Sequence, residues 1–303
     1  MNAVETLDPA FRELIDPSEC LEKLATGFQF TEGPIWHPRE AHLLFSDLFM
    51  DTRRKYQPGQ DVVVMAHPCN KGNGMTYDKN LDLIICEHVT ARLVRHHPDG
   101  TQEILASHFE GKELNSPNDV CMRSDGTFYF SDPNFGRVPD FGVERPCELD
   151  FQGVYRVTPE GELHLAVDRK AYEQPNGLCF SPDESLLYIN DSPNALIDVY
   201  DVAADGSLSN RRRFADNIGD GSMEVGIPDG MKCDERGNIW VTGPKGIWIF
   251  DSSGERLGTL LIPEHVGNLH WGGPDWKTLF VAASTSLYAI RTLVGPRREP
   301  FMP

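Results

Sequence analysis

A two-part phrase returns six times along this chain, and each return is spaced for about four strands. The copies open at Glu32-Gly33, Asn73-Gly74, Asn118-Asp119, Asn176-Gly177, Asp229-Gly230 and Asn268-Leu269. Each opening leads into an apolar run, a turn cluster such as Ser-Asp-Gly or Ser-Pro-Asp-Glu, and a second β-rich run. Turn residues between two such runs mark a hairpin. From opening to opening the spacings are 41, 45, 58, 53 and 39 residues. Repeats of that period predict propeller blades. The expected fold is therefore all-β: a six-bladed β-propeller of four-stranded antiparallel blades around a central channel. One domain is expected over 1–303, with an extension at 1–19, the propeller at about 20–290 and a tail at 291–303. A strand around Leu21 to Ala25 is expected to complete the last blade and leave no open edge. Helical periodicity is poor except for a short helix near Pro9 to Ile15.

If each copy begins the innermost strand of its blade, the six leading residues face the channel at one end. They are Glu32, Asn73, Asn118, Asn176, Asp229 and Asn268, all oxygen-bearing. Carboxylates and amides with no thiolate suit a hard cation such as Ca²⁺. A divalent ion would also offset the cost of burying Glu32 and Asp229. The blander alternative is that these residues cap strand ends or bind channel water. Two residues further on, strand alternation places Pro34, Met75, Val120, Leu178, Met231 and His270 on the same face. Five are apolar, so the next layer reads as a plug, with His270 a hydrogen-bonded channel residue rather than a catalytic one. The hairpin partners return to the entrance and bring Asp47, Glu87-His88, Asp132 to Phe135, Asp191 and Ser284-Thr285 to its rim.

A formal net charge of −18 argues against nucleic acid or an anionic membrane as partner, and otherwise reads as solubility. The first residues lack a basic start and an apolar core, and no apolar run reaches membrane-spanning length. Seven scattered cysteines without a C-x-x-C form neither a disulfide framework nor a zinc site, so a reducing cytoplasm is expected. The run Arg211-Arg212-Arg213 reads as an outer-blade turn. No G-x-S-x-G or H-E-x-x-H occurs, which disfavours a serine-hydrolase elbow and a zincin. "DNIGDGSMEVG" from Asp216 has acids at the wrong positions for an EF-hand.

The phrases "EGPIWHP", "NSPNDV", "DGTFYFSDPNFG", "PNGLCFSPDESLLYINDS" and "PDGMKCDERGNIWVTG" resemble the SMP-30/gluconolactonase/LRE family of six-bladed calcium-dependent lactonases. The likeness runs from about Phe30 to Ala289. It implies that Glu32, Asn118, Asn176 and Asp229 hold one divalent ion, calcium for preference, with Zn²⁺, Mn²⁺ or Mg²⁺ as substitutes. It also implies Asp229 as catalytic base and a small-molecule lactone as substrate. "LNSPNDV" is similar to bacterial gluconolactonases; the animal branch carries an arginine where this chain has Ser116. "GNLHWG" resembles related phosphotriesterases, whose second ion needs an acid where this chain has Lys232.

The expected activity is metal-dependent opening of a sugar-type lactone, the ion polarising the ester carbonyl and holding water. Asn73, His88, Ser116, Asp132 and Asn268 are the candidate substrate contacts. The alternatives are an organophosphate or other ester hydrolase on the same ion, and a non-catalytic propeller that binds protein partners.

Overall fold

A computed structural model describes residues 3–303, and in it the expected six blades of four antiparallel strands are all present. Blade one comprises Thr31–His37, His42–Asp47, Thr52–Tyr56 and Val63–Ala66; blade two comprises Gly72–Tyr77, Leu83–Glu87, Arg92–His96 and Gln102–Ala106. Blades three and four start at Val120–Met122 and Pro175–Phe180, and blade five starts at Met231–Cys233. Blade six takes Val266–Gly272, Thr278–Ala283 and Ser286–Arg291 from one end of the chain and Glu22–Thr26 from the other. The expected closing strand is thus present, and Glu22 pairs with Ala289.

Two features go beyond the sequence reading. Val4–Thr6 adds a fifth strand to blade five, against Arg256–Leu261. The expected helix is a 3₁₀ turn at Pro9–Glu13, whose first turn is capped by Asp8 accepting from the Ala10 N–H. Phe11, Leu14 and Ile15 bury themselves among Trp240, Leu260 and Trp271, so this segment is part of the core of blades five and six. All seven cysteines are free thiols, and five of them are buried as small hydrophobes. Among the described residues no helix is long and apolar enough to cross a membrane.

In four of the six copies a glycine follows the leading residue, and close backbone contact explains it. Gly33 has φ +51°, and a side chain there would collide with the Asn73 carbonyl of the next blade. Gly177 faces the Asp229 carbonyl just as closely. At these positions the neighbouring inner strands approach so closely that only a residue without Cβ fits between their backbones.

The inner strands are not regular. Their register shifts between Glu32 and Ile35, Gly72 and Met75, Pro175 and Leu178, and Val266 and Asn268. In blades three and five regular pairing starts only at Val120 and Met231, after the leading residue. Bulges of this kind re-aim a side chain. They correct the simple alternation expected for the second layer. Met75, Val120, Leu178 and His270 do line a lower cavity, but in blade one Ile35 lines it in place of Pro34, and in blade five Lys232 and Cys233 line it in place of Met231.

Candidate metal centre

Five of the six leading residues meet on one cavity. Glu32, Asn73, Asn118, Asn176 and Asp229 line it together with Phe30, Leu48, Phe135, Phe141, Met223 and Ile227. Its volume of about 20 Å³ leaves room for one water-sized or ion-sized centre. Asn268 is buried but does not line this cavity: its Oδ1 accepts from the Leu269 N–H at 2.9 Å and lies 3.4 Å from Lys232 Nζ.

The ring is aimed by the loops that precede it, and those loops are clamped by acids that close the second strands. Asp47 accepts from the Gln29 and Phe30 N–H groups at 3.0 and 3.3 Å. Asp132 does the same for Asn115 and Ser116, both at 2.8 Å, and Asp191 for Glu173 and Gln174, both at 2.9 Å. In each case the clamped residues lie two and three positions before a leading residue. Asp132, expected at the rim as a substrate contact, therefore spends its carboxylate on the backbone behind Asn118. Burial pushes its pKa up to about 7 against the pull of those donors. Ser116 is likewise occupied; its hydroxyl donates to the Pro133 carbonyl at 2.6 Å and accepts from Gly136 N–H at 2.9 Å. The clamp was missed from sequence, although an acid closing the second run in four copies was a usable signal.

His88 does not line the cavity. It is fully buried, with Nδ1 2.9 Å from the Phe141 carbonyl and Nε2 3.3 Å from Asn73 Nδ2. His270 sits in the lower cavity, its Nδ1 2.6 Å from the Trp271 carbonyl, and burial holds its pKa down to about 3. That agrees with a neutral channel residue.

Do the ring residues suit a divalent cation? Burial raises Glu32 to about 7, and burial followed by the charge of Glu32 raises Asp229 well above the usual carboxylate range. Two carboxylates facing one small cavity are thus an electrostatic liability on their own. The amides point the same way. Asn176 donates its Nδ2 to Ser192 Oγ at 3.1 Å, which leaves Asn176 Oδ1 buried with no partner; Asn73 Oδ1 is orphaned too. Buried oxygens without donors are uncommon. A cluster short of positive charge, built only from oxygen, fits a hard cation. Among the described residues no group of three or more His, Cys, Asp or Glu forms a metal site, so the amide oxygens are needed to complete the set.

Below the ring lies a tethered cation. Lys232 Nζ is 3.6 Å from Asp119 Oδ2, which has no hydrogen-bond partner, and 3.2 Å from the Met231 carbonyl. Lys232→Met is expected to strand that carboxylate and cost about 3 kcal/mol in urea unfolding. A loss below about 0.5 kcal/mol would show the pair to be energetically idle.

Above the ring lies an aromatic cover that sequence reasoning missed. Phe30 stacks on Phe49 at 5.0 Å, and Phe141 meets both edge-on at 5.4 and 4.9 Å. Phe141, Met223 and Ile227 lie in irregular loops, where no periodic pattern announces that they face the cavity.

Fold and site together define a propeller with an oxygen-lined axial cavity, fed from one mouth. The chain belongs to the SMP-30/gluconolactonase/LRE family: the sequence profile of the SMP-30/Gluconolactonase/LRE-like region matches residues 30–285. It is 30% identical to the gluconolactonase of Zymomonas mobilis, over 95% of this chain and 86% of that protein. It is 27% identical to the pentonolactonase XacC of Haloferax volcanii, over 86% and 83% of the two chains. A solved gluconolactonase from Xanthomonas campestris superposes with a TM-score of 0.87 at 30% identity, covering 96% of this chain and 95% of that one.

Proposed function

We propose that this protein is a divalent-ion-dependent lactonase that hydrolyses a sugar-type lactone at the axial cavity. The observation that carries the reading is the convergence of Glu32, Asn118, Asn176 and Asp229 on one cavity, with two buried carboxylates facing each other and the Asn176 amide oxygen left unpaired. The relatives named gluconolactonase and pentonolactonase support the substrate class.

Glu32, Asn118, Asn176 and Asp229 would hold the ion, calcium for preference. When bound there, a divalent ion would supply Lewis-acid polarisation of an ester carbonyl and acidify a water. The chain's own residues do the rest. Thr242 Oγ accepts from the Asp229 N–H at 2.7 Å, and Asn190 Nδ2 donates to the Asp229 carbonyl at 2.7 Å. The backbone of Asp229 is thus fixed on both sides, and its carboxylate oxygens receive the proton of the attacking water. The Phe30, Phe135 and Phe141 rings exclude bulk water and offer apolar faces to a sugar ring.

The test is a panel of five- and six-membered sugar lactones and a phosphotriester, assayed with chelator and then with Ca²⁺, Zn²⁺, Mn²⁺ or Mg²⁺. Lactone turnover is expected to vanish with chelator and return with metal, while the phosphotriester lags. Lactonase rates indifferent to metal would overturn the mechanism, and faster phosphotriester turnover would overturn the substrate class.

A further inference from the structure

We propose that His88 is a positioning residue that locks the Asn73 carboxamide with its oxygen toward the axis, making Asn73 Oδ1 a fifth oxygen for the cation. The inference rests on the cation site proposed above.

Its starting point is the chain of contacts Phe141 carbonyl, His88 imidazole, Asn73 amide. A carbonyl can only accept, so the 2.9 Å contact from His88 Nδ1 requires the proton on that nitrogen. Both partners of the ring are neutral and the ring is fully buried, conditions that favour the uncharged imidazole. Nε2 is then a lone pair, and at 3.3 Å it can only accept from an N–H. Asn73 must therefore turn its NH₂ to His88. A carboxamide has its oxygen on the opposite side; Asn73 Oδ1 is indeed buried and unpartnered, and Asn73 lines the cavity.

The lock is itself braced. The 3₁₀ turn Phe135–Arg137 packs on His88 so closely that a side chain at Gly136 would strike the His88 Cβ and ring. Lys71 Nζ donates to the Asp140 carbonyl, tying down the loop that carries Phe141. The other four cavity-lining ring residues need no such device from this loop: Asn176, for example, is oriented by Ser192, which in turn donates to the Pro228 carbonyl at 2.7 Å. Asn73 has its orientation set by a residue held from the cover.

The experiment measures calcium affinity by titration calorimetry, alongside melting of the metal-free protein. His88→Phe frees the amide to flip and is expected to weaken calcium binding about 10- to 100-fold, the range for outer-shell partners of metal ligands. His88→Gln, which keeps an acceptor for Asn73, is expected to retain most of the affinity. Adding Asn73→Asp to His88→Phe should restore binding, because a carboxylate presents an oxygen whichever way it turns. Should His88→Phe not fold, Asn73→Leu removes the oxygen directly and must show the same loss. Unchanged affinity in His88→Phe or Asn73→Leu, or failure of Asn73→Asp to restore it, would overturn the proposal. A wild-type protein that binds no divalent ion would instead overturn the cation site itself, and this inference with it.

Discussion

Asp229→Ala is expected to abolish tight divalent binding and to lower lactone turnover by on the order of a thousandfold, the scale of several kcal/mol of lost Lewis-acid stabilisation. The residue closes the ring opposite no spare carboxylate; Glu32 is the other acid on the cavity. Asp229→Asn separates its two tasks. An asparagine keeps an oxygen for the ion but cannot take a proton at neutral pH. Binding that persists in Asp229→Asn while turnover collapses would identify the carboxylate as proton acceptor. Parallel loss of both would leave it a ligand only, and near-normal rates in Asp229→Ala would remove it from the mechanism.

The second large effect concerns the opposite mouth. The last residues cross the lower end of the channel and touch several blades. Arg297 Nη2 donates to the Met122 carbonyl of blade three at 3.0 Å, its guanidinium lies over the Phe180 ring of blade four, and its N–H donates to Cys233 of blade five. Phe301 is buried with Ile35, Met75 and Tyr77 of blades one and two, next to Trp276 of blade six. Phe301→Ala should therefore cost about 3–5 kcal/mol in denaturant unfolding, as for other large-to-small core changes. Its calcium affinity should stay near that of the wild type, because the ring lies at the other end. A stability loss under about 1 kcal/mol would mean that the tail merely lies on the surface.

These two regions differ in how far the sequence disclosed them. The ring was legible because its residues recur in phase: Glu32, Asn118, Asn176 and Asp229 each stand at the same point of a repeated phrase, and symmetry carries each to the axis. Asn268 stands at that point as well, yet it does not line the cavity, and its Oδ1 is taken by the Leu269 N–H beside Lys232. Ile35 stands in the lower cavity where Pro34 was expected, beside a bulge that alternation cannot anticipate. Asp132 and Ser116, expected to contact substrate, do not line the cavity and serve the backbone instead: backbone N–H groups that need acceptors are invisible in a sequence. The aromatic cover and the tail lie outside the repeat. Their burial depends on distant partners such as Phe30 with Phe141, or Tyr77 with Phe301, which no local pattern encodes.

The shared sixth blade has a consequence for how the chain is made. Strand Glu22–Thr26 leaves the ribosome early, but its partner Ser286–Arg291 follows some 260 residues later. At ordinary synthesis rates the early strand waits roughly 13 to 50 seconds with its edge unsatisfied. Glu22 and Lys23 at its start, both exposed in the finished ring, place charge on that waiting edge and discourage it from pairing with another nascent chain.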